Sequence, residues 1–242
     1  MPNPTAAILI IGDEILSGRT REGNAYYLAG ELTRVGIDLA EVRIVADVQD
    51  QIVDAIRTLS AKYDTLFTSG GIGPTHDDIT ADAVGAAFGV GVDVRADAHA
   101  LLARHYAARD AEFTPARMRM ARIPDGARLI DNPVSVAPGF AIGNVYVMAG
   151  VPSVFQAMVA SVLPGLVAGA PVHSHSLKVM QPESEVAEPL GALAARYPAL
   201  SFGSYPFEVT QGYGVNLVLR GPQGEELAQA WRDMRDTFPG GE

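Results

Sequence analysis

Two acid-bearing turns hold the residue types best suited to chemistry. The first contains Gly12, Asp13 and Glu14, followed by Ser17-Gly18 and, further on, Asn24. The second reads Ser69-Gly70-Gly71-Ile72-Gly73-Pro74-Thr75-His76-Asp77-Asp78-Ile79-Thr80. Glycines 70, 71 and 73 allow a tight turn and a close approach of backbone to ligand. Successive amides there, with the start of the next helix, make an anion pocket that needs no lysine. A turn whose glycines serve chain geometry alone is the plainer alternative. The spacing matches neither the P-loop nor the dinucleotide fingerprint. Asp77 and Asp78 repel each other, and a divalent, magnesium-like cation bridging carboxylates and phosphate oxygens would reconcile them, with Asp13 completing the site. One of the pair could instead cap the helix expected from Thr80.

Two further clusters follow, Asp131-Asn132-Pro133-Val134-Ser135-Val136-Ala137-Pro138-Gly139-Phe140 and Met148-Ala149-Gly150-Val151-Pro152-Ser153. Asn132 and Ser135 offer polar contacts, while Pro138, Gly139 and Gly150 shape walls; turn geometry is again the alternative. There is no GxSxG elbow, so no serine nucleophile is presented. The chain has no cysteine, which excludes thiolate, iron-sulfur and cysteine-ligated zinc chemistry. His173 and His175 alternate without a third soft ligand nearby. His76 reads as a solvent-facing loop residue, His99 and His105 as structural or exposed, and Trp231 as the anchor of the last helix.

The elements that must position these turns follow from periodicity. TAAILII (5–11) reads as a strand covered on both faces. Ala25, Leu28, Leu32 and Val35 recur at helical steps up to Gly36, IDLAEVRIV reads as a second strand, and Asp50 is expected to cap a helix carrying Ile52, Ile56 and Leu59. A third strand, 64–69, precedes the glycine turn. Helical segments are expected at 80–88, 97–109 and 115–122, strands near 127–130 and 144–149, and a helix from Pro152 to Pro164. Alternation of strand and helix implies an α/β sandwich on a mostly parallel sheet, whose strand ends share a crevice where both turns can meet. After a boundary at 163–176 the pattern becomes strand (176–181), helix (183–196), strand (200–209), strand (213–220) and helix (224–237), a small α+β segment.

Length and charge bound the rest. The 242 residues are 48% hydrophobic, ordinary for a globule and enough for one or two domains. With 18 basic and 28 acidic residues the net charge is -10, which argues against nucleic acid as a partner. The opening MPNPTAAILIIGDE reads as a strand rather than a signal peptide, and the apolar stretch 142–168 is interrupted at Asn144, Gly150, Pro152, Gln156 and Pro164. No membrane association and a cytoplasmic location are expected.

GDEILSG (12–18) with Asn24, then SGGIGPTHDDIT (69–80), NPVSVAPGF (132–140) and AGVP (149–152), in this order, resembles the molybdopterin-binding fold family. The resemblance is nearest to the amino-terminal part of the competence/damage-inducible protein A (CinA) family and to the similar domain of eukaryotic FAD synthases. It covers residues 5–170, and SFGSYPF (201–207) resembles the segment that follows in those relatives. It implies a three-layer α/β/α sandwich over residues 1–170 and a β-α-β-β-α domain over 171–242. The implied activity is metal-dependent hydrolysis of nucleotide pyrophosphates such as ADP-ribose or FAD. Molybdopterin binding or adenylylation, and a non-catalytic nucleotide- or pterin-binding regulatory role, are its alternatives. Carried onto matching positions, Asp13, Asp77 and Asp78 are catalytic, Asp13 and Asp78 hold a magnesium- or cobalt-like ion, and Gly12, Glu14, Asn24, Ser69, Gly70, Gly71, Gly73, Thr75, Thr80, Asn132, Ser135, Pro138, Gly139, Gly150 and Pro152 surround a molybdopterin or nucleotide ligand. A homo-oligomer, dimer before trimer, is implied too. CinA proteins add a carboxyl-terminal deamidase for which these residues leave no room, so that activity is not expected.

Overall fold

A computed structural model describes residues 3–209 and 212–241; residues 1, 2, 210, 211 and 242, which fall within the two expected segments, lie outside the described residues. The elements run β1 (Thr5–Ile11), α1 (Asp13–Leu16), α2 (Asn24–Arg34), β2 (Asp38–Val45), α3 (Gln49–Lys62), β3 (Thr65–Ser69), α4 (Thr80–Phe88), β4 (Val92–Val94), α5 (Ala96–Ala107), α6 (Pro115–Met118), β5 (Arg122–Pro124), β6 (Arg128–Ile130), β7 (Gly139–Ile142), β8 (Val145–Met148) and α7 (Pro152–Val162). There follow β9 (Val172–Val179), α8 (Glu183–Arg196), β10 (Ser201–Val209), β11 (Gly212–Pro222) and α9 (Glu225–Thr237).

The fold is a three-layer α/β/α sandwich. Its six-stranded sheet has the order β2-β1-β3-β8-β7-β6. The β2, β1, β3 and β8 neighbours are parallel, and β8-β7-β6 turn antiparallel at the far edge. TAAILII can lie between two neighbours because both of its faces are apolar: Ala6 to Ile11 are at most 3% exposed. Ala7, Leu9 and Ile11 point to one face, where they pack with Ile52, Ile56 and Leu59 of α3 and Val84 of α4. Alternation sends Ala6, Ile8 and Ile10 to the other face, where they are equally buried.

Several local details differ from expectation. The third helix begins at Gln49 with Val48 at its N-cap and no capping side chain, so Asp50 sits inside the first turn rather than before it. The segment 115–122 is helical only to Met118, then tightens into a 3-10 turn and enters β5. Three short strands, β4, β5 and β7, were not anticipated.

Contacts divide the chain into two compact units. One comprises residues up to Thr33 and Ile37–Ala168; the other comprises Arg34–Gly36 and the residues from Gly169 on. In the second unit an antiparallel sheet of order β10-β11-β9 packs its Leu177, Val215, Leu217 and Leu219 against Val186 and Leu193 of α8 and Leu227, Ala230 and Met234 of α9. Trp231 packs partly buried on that core and stacks on His175, ring centroids 5.0 Å apart. β9 starts at Val172, earlier than expected, which places His173 and His175 within a strand. Among the described residues no helix is long and apolar enough to cross a membrane.

Candidate functional site

Because β1, β3 and β8 run in one direction, the segments leaving them emerge at one edge of the sheet. The chain leaving β3 is pinned at its first residue, where the Gly70 amide donates to the Met148 carbonyl at the end of β8 (3.1 Å). Gly70 has φ +110 and Gly71 φ +69, and a Cβ at either would stand 2.1 Å from Ile11 O or Thr80 Oγ1. No other residue type fits that turn. Thr80, fully buried at the start of α4, closes it by donating Oγ1 to Gly70 O (3.0 Å) and its amide to Gly71 O (3.0 Å). The carbonyls are thus tied inward, while the Gly71, Ile72 and Gly73 amides make no hydrogen bond within the described residues.

These segments border a cavity of about 560 Å³. Of the residues singled out in the sequence, Gly12, Glu14, Gly70, Gly71, Gly73, Thr75, Asp77, Asp78, Asn132, Ser135, Gly150 and Pro152 line it. Asp13, Asn24, Ser69, Thr80, Pro138 and Gly139 do not. Thr80 braces the turn from behind. Asn24, 6% exposed, donates its Nδ2 to Ser69 Oγ (2.8 Å) and to Gly150 O (2.8 Å), joining the first turn of α2 to the ends of β3 and β8. Its Oδ1 is buried without a hydrogen-bond partner among the described residues. A Cβ on Gly139 would stand 2.4 Å from Val147 O, which makes that glycine a requirement of strand packing.

The acids are arranged differently from expectation. Asp78 Oδ2 accepts from the Thr75 amide (2.7 Å) and hydroxyl (2.5 Å), which closes a local turn. Ile79 occupies the N-cap of α4 and no side chain caps it, so neither acid takes the capping role. Asp13 Oδ1 accepts from the Asp47 amide (3.4 Å), and the Asp13 amide donates to Asp47 Oδ2 (2.9 Å). Asp47 lines the cavity, and sequence reasoning missed it. Burial pushes its carboxyl above the usual value, the Asp13 amide opposes, and the charges of Asp13, Glu14 and Asp77 add to the rise. Its one sequence signal is its place just past the end of β2. Arg119 was missed too: Nε donates to Thr75 O (3.0 Å) and Nη2 to Asp78 O (3.3 Å), bracing the turn. The cavity's apolar wall, Ile11, Ile72, Met120, Val151 and Val154, was likewise unforeseen. Among the described residues, four carboxylates (Glu14, Asp47, Asp77, Asp78) and no Lys, Arg or His line the cavity.

Comparison with known proteins fits this arrangement to a family. Residues 7–168 match the family described as probable molybdopterin binding domain, and residues 171–242 match the FAD synthase middle domain. A protein of Pyrobaculum calidifontis is 35% identical over 212 residues, covering 84% of this chain and 81% of its own. A CinA-like protein of Myxococcus xanthus is 30% identical over 209 residues, covering 81% of this chain and 50% of its own, so the match spans half of that relative. The crystal structure of CinA, a protein of unknown function from Thermoplasma acidophilum, superposes with a TM-score of 0.63 at 33% identity, over 69% of this chain and 100% of that one.

Geometry and comparison together correct the expected metal-dependent cleavage of nucleotide pyrophosphates. Asp13, Asp77 and Asp78 do not converge on one point: among the described residues, no group of three or more His, Cys, Asp or Glu side chains is placed to hold a metal ion. The described residues therefore give no support to the expected magnesium- or cobalt-like ion. The matching family is described by pterin binding and not by hydrolysis.

Proposed function

The chain belongs to the family of probable molybdopterin binding domains, and from that premise we propose that the cavity beside the glycine turn binds a phosphorylated pterin of the molybdopterin kind. One observation carries the reading: three successive amides, Gly71, Ile72 and Gly73, have no partner among the described residues and belong to residues that line the cavity. Such a run of N–H groups suits a phosphate. The lining fits the remainder of the ligand. Carboxylates accept from the amino and ring N–H groups of a pterin, and Ile72, Met120 and Val154 offer apolar surface to its rings. A pyrophosphate, with charge at both phosphates, would meet four carboxylates and, among the described residues lining the cavity, no side-chain cation.

The test is to isolate the protein from a host that makes molybdopterin, denature it, oxidise what is released and read pterin fluorescence. The wild type is expected to release a fluorescent pterin. Gly73→Ala is expected to release much less, because a Cβ there would stand 2.7 Å from the Asp78 Oδ2 that Thr75 already holds. Failure of the wild type to release a pterin or to take one up in solution overturns the reading. Assembly as a homodimer belongs to the same proposal. Its support is β2, an edge strand with Val42 49% and Ile44 38% exposed, since exposed apolar edges are ordinarily covered. Light scattering showing a monomer at working concentration would count against it.

A further inference from the structure

Among the described residues two that are not glycine have a positive φ, Asp110 at 51° and Val136 at 66°. Aspartate tolerates that region through its short polar side chain; a β-branched valine does not, and such a residue is held there by its surroundings. Val136 lies between Ser135 and Ala137, both of which line the cavity.

Asn132, 3% exposed, ties the loop on both sides of Val136. Its Oδ1 accepts from the amides of Val134 (3.1 Å) and Ser135 (3.1 Å), and its Nδ2 donates to Ser135 Oγ (2.7 Å) and Ala137 O (2.7 Å). Its main-chain carbonyl accepts from the Val136 amide (3.0 Å). A carboxamide has two donor and two acceptor places, and all four are taken by the loop, so the side chain has none left for a ligand.

We propose that Asn132 is a positioning residue: it acts on the bound pterin through Val136, by keeping that residue left-handed so that Ser135 and Ala137 hold their places on the cavity wall. The inference rests on the pterin reading for its functional half and on the loop geometry alone for its structural half.

The experiment compares the wild type with Asn132→Ala, Val136→Gly and the double variant. Without ligand, the backbone NMR shifts of Ser135 and Ala137 are expected to move in Asn132→Ala and to return toward wild type in the double variant, because glycine takes the left-handed conformation without being held. With pterin, Asn132→Ala is expected to bind about tenfold more weakly, and the double variant to regain most of the loss. A side chain that touches the ligand directly would give a loss that Val136→Gly does not repair, and that result overturns the proposal. Unmoved Ser135 and Ala137 shifts in Asn132→Ala overturn it as well. If the wild type binds no pterin, the function reading falls and the shifts alone decide the role of Asn132. Should Asn132→Ala not fold, Asn132→Asp, which keeps the accepted bonds and loses the donated ones, takes its place in the same cycle.

Discussion

Asp47 and Asn24 show how residues outside the glycine turn set its properties. A carboxyl whose folded pKa lies above its free value, 3.8 for aspartate, destabilises the folded state at neutral pH. That cost is absent below the free value and grows as pH rises through the folded one. Asp47→Asn, whose amide oxygen can still accept from the Asp13 amide, is therefore expected to melt higher than the wild type near neutrality. The gap should close on acidification; melting curves across that range that stay a constant distance apart would reject this account. Asn24→Ala leaves the Gly150 carbonyl without its side-chain donor and removes the link to Ser69, an expected cost of about 1–3 kcal/mol. Calorimetry should register this as a fall in the melting midpoint of about 2–4 °C for each kcal/mol. The glycine turn was legible because residue type and spacing state its geometry outright. Asp47 was not, because it stands 34 positions from Asp13 and only strand pairing brings the two together. Asp78 was legible as part of the glycine turn but not as its closure on Thr75, since capping and turn closure use the same residue types.

Elements with strong period or two apolar faces, such as β1, α3 and α9, were readable, and so were the short strands β3, β6 and β8, whereas β4, β5 and β7 were not. β7 is four residues long and opens with Gly139 after a proline, a composition that reads as a turn; it becomes a strand because β6 and β8 supply partners on both sides. Residue type does not fix the start of α3: Asp50 has the chemistry of a cap, but the helix begins at Gln49 with no side-chain cap bond. β2 also shows how an exposed edge is fastened to its neighbours. Glu41 accepts from Arg43 (2.7 Å), the Tyr63 hydroxyl (2.8 Å) and Lys62 (3.1 Å), and the Arg43 bond first, with the other two, lowers its carboxyl to about 2. A depressed acid stabilises the fold above its free value of 4.5, and the contribution is lost as pH falls through about 2. Glu41→Gln should therefore lower the melting midpoint at neutral pH and be indistinguishable from wild type in strong acid. A difference that persists in acid would assign the effect to packing.

At the scale of the molecule, both units have cores of their own, and every residue lining the cavity beside the glycine turn belongs to the first. A fragment of residues 3–168 is expected to bind pterin within about threefold of the full chain if it folds alone, as a unit of that size commonly does; titration of both compares them directly, and a much larger loss would assign the second unit a part in binding. The acid-lined cavity has one more consequence, in how the ligand arrives. An anion approaching a chain of net charge -10, and a cavity lined by four carboxylates, climbs a repulsive field before it reaches the free amides of the glycine turn. Raising ionic strength from about 0.01 to about 0.15 M shortens the reach of that field from about 30 to about 8 Å. Added salt should consequently speed the capture of a phosphorylated ligand, the opposite of what a site built on lysine and arginine would do.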